Sequence, residues 1–138
     1  MATGDTGPIP RIDAAGAGAS LPVLVVEDER AIAALVAEAV ASAGYLPVVA
    51  ANGQEGLERA RERWPALVLT DMMMPILDGD GLARGLRAEA AARGRAMPPI
   101  VLMTASHPGH AARVGADALL QKPFDLDELE GLLRRFLG

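Results

Sequence analysis

Short apolar runs with no polar residue between them, such as Val23–Val26, Leu67–Leu69 and Ile100–Met103, recur along this chain between amphipathic stretches. A strand that is apolar at every position must be covered on both faces, and a parallel sheet with helices on either side does this. "LPVLVVED" is the first such strand and stops at Glu27 and Asp28; "YLPVVAA", "ALVLTD", "PPIVLMTA" and "ALLQK" are expected to be the others. The intervening stretches have helical periodicity. "ERAIAALVAEAVASAG" places Ile32, Leu35, Val36, Ala39 and Val40 at helical spacing and ends at Gly44. A second helix opens at Asn52 and Gly53, carries Leu57, Ala60 and Trp64 on one face, and is closed by Pro65. A third runs through Leu82 and Leu86. The last starts with Asp125 and Glu128 at capping-box spacing, and Leu126, Leu129, Leu132, Leu133 and Phe136 mark its apolar face. The expected fold class is α/β, a five-stranded parallel sheet, doubly wound by right-handed crossovers.

Bulk properties narrow the partners. A chain of 138 residues, 51% hydrophobic and 22% charged, suits one globular domain. Residues 1–20 are rich in Gly, Ala and Pro without periodicity and are expected to form a flexible tail, with the domain spanning 21–138. A net charge of −5 with scattered basic residues argues against a nucleic-acid partner. The absence of cysteine excludes disulfides and thiolate metal sites. No apolar run is long enough to span a membrane and no secretory leader pattern opens the chain, so a cytoplasmic protein is expected.

In a sheet of this kind ligands bind outside the carboxyl ends of the strands. The residues there are Glu27, Asp28, Asp71, Thr104 and Lys122. Each has an ordinary alternative: Glu27 and Asp28 as first-turn acids of a helix, Asp71 as a cap, Thr104 as a strand former, Lys122 as a surface lysine. Gathered on one edge, the three carboxylates would repel by about 4 kcal/mol for each pair at roughly 4 Å and an effective dielectric near 20. A cation must join them, and hard oxygen ligands without His or Cys favour Mg2+. Lys122 and Thr104 add a point charge and a hydroxyl donor suited to an anion beside that metal. No second nucleophile is placed to receive a phosphoryl group, which leaves Asp71 as the candidate acceptor. Met72 and Met74 of "MMMP" are read as loop packing. His107 and His110, separated by Pro108 and Gly109, are read as loop residues and not as a shared metal site.

The segments "VVED", "LTDMMMPILDG", "VLMTA" and "GADALLQKPF", with the final helix, resemble the receiver domain of two-component response regulators over residues 22–137. The resemblance implies a flavodoxin-like fold and a protein that is phosphorylated by a sensor histidine kinase or a phosphotransfer protein and signals through protein contacts, with homodimerisation open. It implies that Asp71 is the phosphoacceptor. Asp28, Asp71 and the backbone carbonyl of Met73 would hold Mg2+, with Glu27 acting through water. Thr104 would bond a phosphoryl oxygen and Lys122 would pair with the phosphate. It further implies a cis bond between Lys122 and Pro123, and a role for Met73 and Ser106 in tuning the lifetime of the acyl-phosphate. Such a module is not an enzyme acting on an external substrate, although it promotes its own phosphorylation and dephosphorylation.

Two departures stand out. Leu119 occupies the position where the family has Tyr or Phe, and the interval from Thr104 to Lys122 is about one helical turn short, with "SHPGH" resisting helix. The fourth helix is therefore expected to be short or partly unwound. An aspartate-nucleophile phosphatase would want a second acid two residues after Asp71, where Met73 stands. A receiver-like interaction module working without phosphate is the alternative that Leu119 keeps open. No residues after the last helix remain for a DNA-binding output domain, so a single-domain regulator or a fragment of a longer protein is expected.

Overall fold

Alternate side chains of each strand serve opposite core layers, which is why the strands lack polar positions. The computed structural model describes residues 21–105 and 109–138. Strands β1 (Pro22–Val26), β2 (Leu46–Ala50), β3 (Leu67–Asp71), β4 (Ile100–Thr104) and β5 (Ala118–Gln121) alternate with helices α1 (Arg30–Ser42), α2 (Gly53–Glu62), α3 (Gly79–Arg93), α4 (Gly109–Val114) and α5 (Leu126–Leu137). All strand pairs are parallel, in the order β2-β1-β3-β4-β5. Val23 and Val25 join Val36, Val40, Leu129 and Leu133 in the layer under α1 and α5. Leu24 and Val26 join Leu57, Leu82, Leu86 and Val114 in the layer under α2, α3 and α4. The five-stranded, doubly wound, flavodoxin-like sheet matches the expectation.

The helices depart from expectation at a few positions. On α1 the buried stripe is Ala33, Val36, Ala39 and Val40, whereas Leu35 is 43% exposed. A step of 100° per residue puts Leu35 at the edge of that arc, where it lines a groove with Ile32, Pro123 and Phe124. Gly44 adopts φ +96° and closes α1, as its position suggested. Helix α2 is capped by Asn52, which accepts from the Glu55 N–H at 2.9 Å. It ends at Glu62, and Trp64 lies beyond it because the chain is already extended at Arg63 ahead of Pro65. Trp64 still packs against the layer that contains Leu57 and Ala60, and it donates Nε1–H to the Ala96 carbonyl at 3.3 Å, with the Arg93 guanidinium 5.3 Å from its ring centre.

Helix α4 is short, with six residues, of which Val114 is the buried one. His110, expected in a loop, lies within it; Ser106 and His107 fall outside the described residues. Its carboxyl end is tied down by the Arg87 guanidinium, which donates to the Val114 carbonyl. The capping box of α5 is formed between Asp125 and Glu128, and Leu129 and Leu133 are buried while Leu126, in the exposed first turn, is not. Among the described residues no helix is long and apolar enough to cross a membrane.

Candidate functional site

Strand register gathers the polar strand ends. Val26 pairs with Thr70, so Glu27 and Asp71 emerge side by side from β1 and β3. Thr104 ends β4 opposite Gln121, and the Lys122 N–H donates to the Thr104 carbonyl at 2.8 Å, which fixes Lys122 just past β5. All five residues singled out in the sequence thus lie on one sheet edge.

The site has a buried floor and an open rim. Carboxylate oxygens of Glu27, Asp28 and Asp71 lie within 4.8 Å of one another. Lys122 Nζ donates to Glu27 Oε1 at 2.7 Å and stands 3.4 Å from Asp71 Oδ2. Glu27 is 2% exposed, and its second oxygen accepts the Glu29 N–H at 3.2 Å, so both of its oxygens are engaged. Asp71 Oδ1 accepts the Met72 N–H at 2.8 Å. Thr104 is buried and Asp28 is exposed. Burial pushes the Glu27 carboxyl up from its ordinary value, against the pull of Lys122. Burial pulls the other way on Lys122, but the hydrogen bond to Glu27 and the charge of Asp71 hold its ammonium above the ordinary lysine value. A buried acid paired with one lysine, beside two further carboxylates, is an oxygen-rich arrangement of the kind that can hold a hard cation.

The ordinary alternatives are assigned elsewhere. Asp78, not Asp71, caps α3 by accepting the Gly81 N–H at 2.9 Å. Glu29 occupies the N-cap of α1 without a side-chain capping bond. Met72 is fully buried and Met74 half-buried, as loop packing requires, and Met73 is 62% exposed. The Lys122–Pro123 bond is cis.

Sequence reasoning missed what holds the loop after Asp71. The Gly79 N–H donates to the Met72 carbonyl at 2.8 Å, and the Gly53 N–H donates to the Leu77 carbonyl at 2.9 Å. A Cβ on Gly79 would stand 2.7 Å from the Asp71 carbonyl oxygen, and one on Gly53 would run into the Leu77 carbonyl. The pairs Asn52-Gly53 and Asp78-Gly79 carried that signal, since each couples a cap to a residue without a side chain. Ile76, between these anchors, has φ +75°, a conformation that costs a β-branched residue about 1–3 kcal/mol. Nothing in its sequence context announces it.

Trp64 precedes β3 and so lies at the opposite edge from the acids, roughly 15–20 Å away along a five-residue strand. Addition of Mg2+ is expected to leave its emission unchanged, and strong quenching in a fluorescence titration would contradict this placement.

Comparison with known proteins agrees with this geometry. The sequence model for the response regulator receiver domain matches residues 23–134. The "Probable transcriptional regulator ycf27" of Porphyra purpurea is 36% identical over 121 residues, covering 83% of this chain and 46% of that protein. The chain thus spans about half the length of that curated relative. Among solved structures, the receiver domain of the sensor histidine kinase PA1611 from Pseudomonas aeruginosa PAO1, with magnesium in its active site cleft, superposes with a TM-score of 0.76 at 28% identity, covering 86% of this chain and 98% of that one. The receiver domain in the co-crystal of Saccharomyces cerevisiae Ypd1, a histidine phosphotransfer protein, with its downstream response regulator Ssk1 gives a TM-score of 0.77 at 26% identity, covering 86% and 89%. With the family's sequence model extending over residues 23–134 and a receiver domain superposing at a TM-score of 0.76, this chain belongs to the response regulator receiver domains of two-component signalling.

Proposed function

We propose that this receiver accepts a phosphoryl group on Asp71 from a histidine-bearing protein in the cytoplasm and relays the signal through protein contacts. The observation that carries the reading is Asp71 at the carboxyl end of β3, with Lys122 3.4 Å from one of its oxygens. An Asp71 carboxylate oxygen attacks the phosphorus, the phosphorus–nitrogen bond of the phosphohistidine breaks, and the imidazole leaves with the electron pair and takes a proton. Lys122 offers its charge to the transferred oxygens, and Thr104 its hydroxyl. The donor set fits a hard divalent cation, since carboxylate oxygens from three residues converge and the described residues offer no soft ligand there. Asp28 and Asp71, with the Met73 carbonyl, would hold Mg2+. Glu27, whose oxygens already serve Lys122 and Glu29, would act through water. When bound, the metal supplies positive charge that offsets the approach of a phosphate to the acids. The module acts on itself and turns over no external substrate. The receiver of Ssk1, crystallised with Ypd1, is a precedent for the class of donor.

Intact-mass measurement after incubation with acetyl phosphate and Mg2+ tests the assignment. The chain should gain one phosphoryl group and Asp71→Asn none. Labelling that persists undiminished in Asp71→Asn would place the acceptor elsewhere. A second reading, an interaction module independent of phosphate, has one observation in its favour. Leu119 packs half-buried against the layer under α2, α3 and α4 and offers no ring to turn inward. An unlabelled parent chain would favour it.

A further inference from the structure

A helix cannot pair its own first four N–H groups. In α2, which contributes none of the three clustered carboxylates, the Asn52 side chain takes the Glu55 N–H, and the buried Gly53 N–H is directed at the Leu77 carbonyl 2.9 Å away. Leu77 belongs to the loop between Asp71 and α3. It ends a tight turn in which its own N–H donates to the Pro75 carbonyl at 2.8 Å and Ile76 takes φ +75°. Two glycines leave room for it. A Cβ on Gly53 would collide with the Leu77 carbonyl oxygen, and a Cβ on Gly81, in the first turn of α3, would stand 2.9 Å from the Leu77 Cγ. The Leu77 side chain packs, half-buried, against the layer under α2, α3 and α4. Leu77 is thus seated between the first turns of two helices. At the other end of the loop the Met72 N–H is fixed on Asp71 Oδ1 at 2.8 Å. The Met73 carbonyl lies between these two anchors, which also hold the disfavoured turn at Ile76 in place.

We propose that Gly53 and Leu77 form a clamp that positions the metal-binding loop: by seating Leu77 on α2, it fixes where the Met73 carbonyl stands relative to Asp28 and Asp71. The inference rests on the reading of that cluster as a Mg2+ site. Mg2+ demands near-octahedral geometry and short bonds to oxygen, so a small displacement of the loop costs affinity even when every ligand is retained. Gly53 and Leu77 lie outside the ligand set and act through the backbone, as positioning residues. The coupling runs both ways. A clamp that favours metal binding is tightened by the metal in equal measure. The first turn of α2 therefore registers the metal, and the Gly53 N–H, which makes the clamping bond, is the amide that reports it.

The test compares the unaltered chain with Gly53→Ala and Gly85→Ala. The second variant also crowds the contact between α2 and α3, but the nearest neighbours of its Cβ all belong to Leu57, the closest at 2.7 Å, so it controls for lost packing. Calorimetric titration with MgCl2 should show about tenfold weaker binding in Gly53→Ala and binding within about twofold of the unaltered chain in Gly85→Ala. In the unaltered chain, amide exchange followed by NMR should slow about tenfold at Gly53 on saturation with Mg2+. The Arg63 amide, bonded to the Arg59 carbonyl at the far end of α2, should not change. Unchanged Mg2+ affinity in Gly53→Ala overturns the inference, and so does an equal loss in Gly85→Ala, which would make the effect one of packing. Equal slowing at Gly53 and Arg63 is global stabilisation and overturns it too. If Gly53→Ala does not fold, the exchange of the two amides in the unaltered chain decides alone. A titration that shows no Mg2+ binding to the unaltered chain removes the metal site, and the clamp's role with it, a result distinct from the others.

Discussion

Lys122→Met is expected to lower the stability of the metal-free protein by about 2–4 kcal/mol at neutral pH, because it strands a buried carboxylate. Glu27 is 2% exposed and its strongest partner is the Lys122 ammonium at 2.7 Å. With the lysine gone, Glu27 faces Asp71 and Asp28 with a single backbone N–H for support. The effect depends on pH in a defined direction. The Glu27 carboxyl is raised above its ordinary 4.5 in the folded protein, so its penalty is complete above the folded value and vanishes below the unfolded one. Removing Lys122 drives that carboxyl further up. The difference between variant and parent should therefore shrink as pH falls from 7 toward about 4.5. The raised value of Lys122 contributes stability to the parent that is fully present below 10.5 and is lost only as pH rises through its folded value. Urea unfolding in EDTA at pH 7 and pH 5 measures the difference. The double variant Glu27→Gln with Lys122→Met should recover most of the loss, since nothing charged is left buried on that side. A difference that is equal at the two pH values would mean that Glu27 does not rely on Lys122.

The fold was legible because the strands are short, apolar throughout and end at polar residues, and those two features together specify a covered parallel sheet with a functional edge. Glu27, Asp28, Asp71, Thr104 and Lys122 could be picked out as candidates since each terminates a strand, and register then places them together without any of them being close in sequence. The burial of Leu35 and the helical placement of Trp64 were misread for different reasons, although Trp64 does pack with Leu57 and Ala60. Helical spacing identifies a stripe but not its limits: Val36 is at the centre of the buried arc that runs from Ala39 to Ala33, and Leu35 falls just beyond its edge. Trp64 follows the period of α2 but lies too near Pro65 for the helix to reach it. The pairing of Lys122 with Glu27 rather than chiefly with Asp71 was not legible, because which of two neighbouring acids a lysine prefers depends on ångström-scale placement. The left-handed turn at Ile76 was hidden by its residue type, since β-branched residues are those least expected there.

Asp28→Ala should move stability in opposite directions with and without Mg2+. In EDTA the change removes one of three clustered carboxylates. The Coulomb repulsion between two of them is about 4 kcal/mol at 4 Å and a dielectric of 20, but the exposure of Asp28 screens most of it. A gain of about 1 kcal/mol, or roughly 3–5 °C in the midpoint of a domain this size, is what remains. With Mg2+ the sign reverses. Asp28 is the exposed carboxylate whose oxygens are free of Lys122, so it is the ligand whose loss the metal feels most, and affinity should drop about 100-fold, equivalent to roughly 2.7 kcal/mol. At a Mg2+ concentration 100 times the parent dissociation constant, the parent gains about 2.7 kcal/mol from binding while the variant gains only a few tenths. The two melting curves therefore exchange order between EDTA and saturating Mg2+. Glu27→Ala should weaken the metal less, because its oxygens are turned toward Lys122 and the Glu29 N–H. Calorimetric titration and thermal melts in both buffers read the two effects separately. An Asp28→Ala protein that melts below the parent in EDTA would show that the acids do not repel, and one that binds Mg2+ as tightly as the parent would remove Asp28 from the metal site.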